Sequence, residues 1–303
     1  IHEFGGPDVL RIEDVPDPQP AADEIRVRVI AAAVNPVDWK IREGRAGEPQ
    51  LPMTLGVDFA GVVDMVGDDV RIFHIGDEVF AKASQGGYAE YAVTKAAQAA
   101  RIPRNIGFPE AASIPTAALA AWQAIFDHAG LQKGQSILIH GAAGGVGSFA
   151  VQFAKWKGAY VIGTASGDNV QFARDLGADT VIDYKKDRFE SAVHDVDVVL
   201  DTIGGDTLER SWSVLKPGGF LVSLVAPITE ETGREYGVHA ANFMTIADGN
   251  ELAEIAALIE EGHVKPIVTT VLPLSEVQRA QEMSEAHHTR GKIVLRVAED
   301  PVR

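Results

Sequence analysis

Ser136-Ile137-Leu138-Ile139-His140 empties directly into Gly141-Ala142-Ala143-Gly144-Gly145-Val146-Gly147, and this junction constrains the fold more than any other stretch of the chain. The apolar run reads as a buried parallel strand. Beyond the glycines, Val146, Phe149, Ala150, Phe153 and Ala154 recur at helical spacing, so the local pattern is strand, tight turn, helix. Glycines in such a turn let backbone approach a pyrophosphate, and the first helix amides, with the positive end of the helix dipole, attract it. Short glycine patterns also occur as ordinary turns, so the flanking sequence decides. Ala159–Thr164, Thr180–Asp183, Val196–Asp201 and Gly219–Leu224 read as further strands, with a helix over Asn169–Leu176. Strands alternating with helices in this way specify an α/β domain with a doubly wound parallel (Rossmann) sheet that binds a dinucleotide at its glycine turn.

A chain of 303 residues has room for more than this domain, and the segment from His2 to Ile102 has a different texture. Alternating runs such as Ile25-Arg26-Val27-Arg28-Val29-Ile30 are interrupted by Pro16, Pro18, Pro20, Pro36, Pro49 and Pro52, the punctuation of an irregular β unit. Gly61–Gly67 and Gly76–Phe80 read as two strands of a small barrel joined by a turn. After the sheet, Leu252, Ile255, Ala256, Leu258 and Ile259 share one helix face within Glu251–Glu261, and Lys292–Val297 reads as a final strand returning to the first domain. The expected division is 1–118, 119–249 and 250–303, the last segment completing the first domain.

Charge and composition narrow the function. The net charge of -16, with no cluster of Lys and Arg, disfavours nucleic acid and anionic lipid as partners. No apolar run approaches the ~20 residues of a membrane span, and no signal peptide is recognisable, although the chain starts at Ile1 and is read as lacking its first residues. The absence of cysteine rules out disulfides and thiolate metal sites. Of the nine histidines, His287-His288 are adjacent and no pair has convincing ligand spacing, so no metal is expected. A cytoplasmic location is the default expectation.

An ordered set of local sequences now becomes informative. Asn35-Pro36-Val37-Asp38-Trp39-Lys40, Leu55-Gly56-Val57-Asp58-Phe59-Ala60-Gly61, Gly76-Asp77-Glu78-Val79, Gly87-Tyr88-Ala89-Glu90-Tyr91, Ala112-Ser113-Ile114-Pro115-Thr116-Ala117, the Ala142–Gly147 turn, Leu176-Gly177-Ala178-Asp179 and Gly291-Lys292-Ile293-Val294 span essentially the whole chain. In that order they resemble the medium-chain dehydrogenase/reductase superfamily, and within it the zinc-free quinone oxidoreductase and enone reductase branch that includes zeta-crystallin. The resemblance implies a GroES-like, β-rich catalytic domain beside the Rossmann domain, hydride transfer from NADPH to a quinone or an α,β-unsaturated carbonyl, and a site in the cleft between the domains. It also implies a homodimer. The cysteine and histidine ligands of the zinc-dependent branch have no counterparts here. An NADPH-binding protein of low turnover is the alternative from another class, and a zinc site of His and carboxylates is a second.

Candidate residues follow. Gly141, Ala142, Ala143, Gly144, Gly145, Val146 and Gly147 would hold the pyrophosphate. NAD-specific enzymes place an acid at the end of the second strand; Thr164 stands there instead, followed by Ser166, which leaves room for the 2'-phosphate of NADPH. Asp168 lies at nearly the distance of a ribose ligand, and equally suits the first turn of the next helix. The resemblance places Asn169 where the family often has a lysine and Tyr184 beside the adenosine phosphate, while Arg174 is either a contributor or a solvated helix residue. Leu224, Val225 and Ala226 leave the fifth strand at its carboxyl edge, where backbone can meet a carboxamide. By resemblance Thr116 lies near the nicotinamide, although it would also serve as a helix N-cap; Phe243 and Lys292 complete this set. For catalysis, Asn35, Asp38 and Lys40 gather on one loop, with Lys40 or Asn35 donating to a developing enolate and Asp38 orienting Lys40 or cofactor hydroxyls. Their other reading is a turn in which Asn35 and Asp38 bond to their own backbone and Lys40 is solvated. Asp58 is a further candidate by resemblance.

Overall fold

The computed structural model describes residues 1–47, 49–83, 86–286 and 289–300, so His287-His288 lie outside the described residues. In chain order the elements are β1 (Glu24–Val34), α1 (Pro36–Arg42), β2 (Asp58–Val66), β3 (Glu78–Lys82), β4 (Tyr91–Lys95), β5 (Ala99–Arg101), α2 (Phe108–Ala112), α3 (Pro115–Trp122), β6 (Ser136–Ile139), α4 (Gly145–Lys157) and β7 (Tyr160–Ala165). They continue with α5 (Asn169–Asp175), β8 (Thr180–Asp183), β9 (Val196–Asp201), α6 (Gly205–Ser211), β10 (Leu215–Ser223), α7 (Glu230–Glu235), β11 (His239–Asn242), α8 (Gly249–Glu260), β12 (Val268–Pro273), α9 (Val277–Glu285) and β13 (Lys292–Arg296). Two compact units result, one of Ile1–Leu119, Ala247–Gly262 and Pro266–Arg303, the other of Ala120–Ile246 and His263–Lys265.

The first unit is built on a sheet in the order β12-β13-β1-β2-β3-β5, with β4 also pairing β1. Strand β1 alternates between buried and half-buried residues over Glu24–Val29 and is buried throughout from Val29 to Val34. Its first half pairs β4, and its second half runs between β2 and β13. Buried Ile25, Val27, Val29, Phe59, Val63, Val79, Ile293 and Leu295 form the core of this unit. That register places the end of β1, the start of β2 and the start of β13 side by side: Ala33 faces Asp58, and Val34 faces Ile293. Asn35, Asp58 and Lys292, far apart in sequence, therefore meet at one edge.

The segment expected as a loop at Asn35–Lys40 is a helix instead, α1. Pro36 occupies its first position, where the missing N–H costs nothing, and the Asp38 carboxylate accepts the Asn35 amide at 2.7 Å, half of a capping box. Seven residues are too few to show helical periodicity, which is why the sequence reads as a loop.

In the second unit all strands are parallel, in the order β11-β10-β9-β6-β7-β8. The chain runs outward from β6 to β8, then returns on the other side through β9, so the strand order reverses between β6 and β9. Ligands of such sheets bind outside the carboxyl ends of the strands at that reversal, and the glycine turn leaves β6 there. Leu138, Ile162, Ile182, Val199, Leu208, Trp212, Val214 and Leu221 belong to its core. β8 and β9 coincide with the sequence reading, whereas β10 begins earlier and β11 is an additional edge strand.

Candidate active and cofactor site

In the first unit the predicted residues form a buried polar cluster. Lys292 Nζ donates to the Val34 carbonyl at 3.2 Å and to Asn35 Oδ1. Asn35 Nδ2 donates to Asp58 Oδ2 at 2.8 Å, and Asp58 accepts the Thr116 amide at 3.0 Å and the Thr116 hydroxyl at 2.6 Å. Beside them, Asp38 Oδ2 accepts from the Asn35 amide and from Tyr88 Oη at 2.8 Å. Asn35, Asp38, Asp58 and Lys292 are 2%, 0%, 0% and 5% exposed, so hydrogen bonds within the cluster take the place of water, and Asp38 Oδ1 alone of its carboxylate oxygens is left buried without a partner among the described residues. Burial pushes the Asp38 carboxyl up to about 7, against the pull of its two hydrogen bonds. The same effect raises Asp58 and lowers Lys292, each opposed by the other's charge.

This geometry redistributes the expected roles. Asp38 does not orient Lys40; it caps α1 and receives Tyr88. Asn35 uses both ends of its amide inside the cluster. Thr116 is the second residue of α3, and its hydroxyl proton is committed to Asp58, which leaves its oxygen as an acceptor. Lys292 lies in this cluster, fixing Asn35. Lys40 remains: it is half-buried, its Nζ sits 5.7 Å from the centre of the Trp39 ring, and among the described residues its ammonium has no hydrogen-bond or ion-pair partner. Tyr88 escaped sequence reasoning, because the contact that gives it meaning lies 50 residues away.

In the second unit, Gly141 opens the turn at φ +70° and its carbonyl accepts the Gly144 amide at 2.9 Å. A Cβ on Gly147 would lie 2.1 Å from that carbonyl oxygen, so only glycine fits there. α4 then starts at Gly145 with no side chain capping it. Its first amides thus remain for an external anion, and the turn suits a pyrophosphate.

Thr164 is a correction of register. β7 ends at Ala165, and Thr164 is 4% exposed beneath the turn, where its hydroxyl accepts the Gly141 amide at 3.3 Å. Ser166 is the first hydroxyl past the strand end, and it donates to Tyr184 Oη at 3.1 Å. No carboxylate ends the strand in either register. Asp168 occupies the N-cap position of α5 without a side-chain capping bond, and Asn169 is the first helical residue. Nearby, a cavity of about 470 Å³ is lined by Gly167, Asp168, Gln171, Arg174, Asp183 and Lys186, so Arg174 faces a concavity and not open solvent alone.

At the carboxyl ends of β9 and β10, Asp201 is the organising residue that sequence reasoning missed. Its Oδ1 accepts the Ile203 and Gly204 amides at 3.0 and 2.9 Å, and its Oδ2 accepts Ser223 Oγ at 2.8 Å. Ser223 Oγ in turn accepts the Val225 and Ala226 amides, while the Leu224 amide donates to the Asp201 carbonyl. What this segment can offer a carboxamide is therefore carbonyl oxygen. Phe243 stacks on His128 with ring centres 4.3 Å apart. An acid ending an apolar strand run was the available signal for Asp201. Among the described residues no His, Asp and Glu side chains gather into a group able to hold a metal ion.

Comparison with known proteins identifies the family. Residues 21–104 match the alcohol dehydrogenase GroES-like domain, and residues 176–295 match a zinc-binding dehydrogenase family. The chain is 36% identical over 309 residues to an NADPH-dependent alkenal/one oxidoreductase of Arabidopsis thaliana, covering 97% of this chain and 77% of the relative. It belongs to the medium-chain dehydrogenase/reductase superfamily. Within that superfamily it falls in the quinone oxidoreductase and enone reductase branch, being 32% identical to the mouse quinone oxidoreductase across 97% of this chain and 96% of that one. Among solved structures, the quinone oxidoreductase of Coxiella burnetii matches with a TM-score of 0.91 and 36% identity, and that of Escherichia coli complexed with NADPH with 0.89 and 31%, each over 98% of both chains. A superfamily fold paired with a chain that has no cysteine locates the difference from thiolate-ligated zinc relatives in this chain's own residues.

Proposed function

We propose that the protein is an NADPH-dependent oxidoreductase that reduces the conjugated double bond of small enones and enals, and also quinones, without a metal. When bound, NADPH supplies a hydride to the β-carbon of the acceptor. The Gly141–Gly147 turn and the first amides of α4 hold its pyrophosphate, Ser166, Asn169 and Tyr184 border its 2'-phosphate, and the carbonyls of Leu224–Ala226 align its carboxamide. Thr116, as an acceptor, suits a hydroxyl or amide N–H of the same molecule, and Phe243 borders its reacting end. Lys40 donates to the carbonyl oxygen as negative charge collects there, the charge a zinc ion would otherwise meet.

The observation that carries this reading is the contrast within one short segment. Asn35 and Asp38 bond within the buried cluster, while the Lys40 ammonium has no hydrogen-bond or ion-pair partner among the described residues. Steady-state NADPH oxidation, with a chelator present and with a small enone or a small quinone as acceptor, tests it. Turnover of either supports the proposal; NADPH binding without turnover of any conjugated acceptor opposes it. We place the enzyme in the cytoplasm as a homodimer joined through β11, which pairs only with β10 among the described strands and is followed by exposed Met244 and Ile246. Light scattering and cell fractionation check those two points.

A further inference from the structure

We propose that His140 is a positioning residue for the dinucleotide turn, acting through Thr164 in a one-way hydrogen-bond chain that runs between the Gly141 amide and α6. The proposal rests on the cofactor reading above. Both ends of the chain are groups with a single role. The Gly141 N–H can only donate, and does so to Thr164 Oγ1 at 3.3 Å. At the other end, the Thr207 carbonyl can only accept, and takes the Ser211 hydroxyl hydrogen at 2.6 Å.

Those ends fix everything between them. Ser211 has spent its one hydrogen, so its oxygen accepts from His140 Nε2 at 2.9 Å, and the imidazole carries its proton on Nε2. Nδ1 is then a lone pair, which accepts the Thr164 hydroxyl hydrogen at 3.2 Å. Each donor has one acceptor. His140, Thr164 and Ser211 are 0%, 4% and 0% exposed, so water does not substitute for any member. The backbone of His140 joins the same elements: its amide donates to the Leu200 carbonyl at 3.0 Å, and its carbonyl accepts Thr202 Oγ1 at 2.8 Å.

A second proton on the ring would break the sequence of bonds. Nδ1–H and the Gly141 amide would both point at Thr164 Oγ1, whose own hydrogen would have no acceptor among the described residues. The charges that bear on the ring are Asp201 on β9, Glu190 in the turn before β9 and Arg210 on α6, and the Phe189 ring meets it edge-on at 4.6 Å. Burial outweighs the carboxylates and lowers the imidazole to about 4, so it is neutral at physiological pH.

Nitrogen NMR of the histidines and titration with NADPH test the proposal separately. The His140 signal, assigned by its loss in His140→Gln, should show the Nε2–H tautomer unchanged between about pH 8 and pH 5. Thr164→Val should weaken NADPH binding roughly 2- to 12-fold, the equivalent of one lost hydrogen bond, with kcat at saturating NADPH retained and Thr164→Ser restoring affinity. An Nδ1–H tautomer, a titration near the ordinary value of about 6.5, or Thr164→Val binding NADPH like the unaltered protein would overturn it. Failure of the unaltered protein to bind NADPH overturns the cofactor reading and the role of His140 together, whereas normal binding by Thr164→Val overturns that role alone.

Discussion

Replacing Lys292 by Met should cost far more stability than its place near the end of the chain suggests. Met keeps most of the side-chain volume, so the loss is electrostatic and not a cavity. The ammonium is 5% exposed and donates to the Val34 carbonyl and to Asn35 Oδ1, and the carboxylate it balances, Asp58, is 0% exposed. Losing a charge-assisted donor leaves Asn35 Oδ1 unpaired at about 1–3 kcal/mol, and the buried Asp58 loses the positive charge that opposes its desolvation. Asp58→Asn in the same molecule should return part of that loss, because the stranded charge is gone. The pH dependence has a definite sign. With the ammonium removed, the Asp58 carboxyl rises further in the folded protein, which then binds more protons than the unfolded chain, so the deficit shrinks as pH falls. Urea unfolding at about pH 8 and about pH 5.5 measures both effects. A loss below about 1 kcal/mol, or a deficit that grows toward acid, would refute the cluster as a balanced buried network.

Lys40→Met should leave stability and NADPH affinity nearly unchanged, since Nζ has no hydrogen-bond or ion-pair partner among the described residues, and should lower kcat and kcat/KM for an enone together by roughly 10²- to 10³-fold, with a smaller loss for a quinone; a rise in KM alone would make Lys40 a binding residue. Asp38, raised to about 7, gives stability that is present below its unfolded value near 3.8 and is lost as pH rises through about 7, whereas His140, lowered to about 4, gives stability that is lost as pH falls from about 6.5. The two oppose each other in mild acid, so Asp38→Asn should make the protein more acid-labile than the unaltered chain in melting curves between about pH 4 and 6.5. NADPH should bind more tightly than NADH by roughly tenfold in fluorescence titration, from one charge-assisted hydrogen bond to the 2'-phosphate without a lysine at Asn169; equal affinities would favour Asp168 as a ribose ligand.

The parallel sheet was legible because its strands are buried on both faces and read as short apolar runs between turns, which is why β8 and β9 coincide with the sequence reading residue for residue. β11 was not, since His239-Ala240-Ala241-Asn242 has no strand composition and is a strand only through pairing with β10. Thr164 was placed one residue too far along β7, and alternation of side chains then turned a ribose contact into a buried support of the glycine turn. The site residues were nameable, but their connections were not. Asn35 meets Asp58 across 23 residues and Lys292 across 257, through the register of three neighbouring strands that local pattern does not encode. Hence the sequence could offer Lys40 or Asn35 as donor with Asp38 orienting it, and only their partners separate two framework groups from one ammonium that has no hydrogen-bond or ion-pair partner among the described residues.

The most direct test is the fate of the hydride. NADPH carrying deuterium at the transferable position should give, with an α,β-unsaturated ketone, a saturated ketone with one deuterium on the β-carbon, seen by mass spectrometry and NMR. Deuterium on the carbonyl carbon of an allylic alcohol, or no deuterium in any product, would contradict conjugate reduction by this protein.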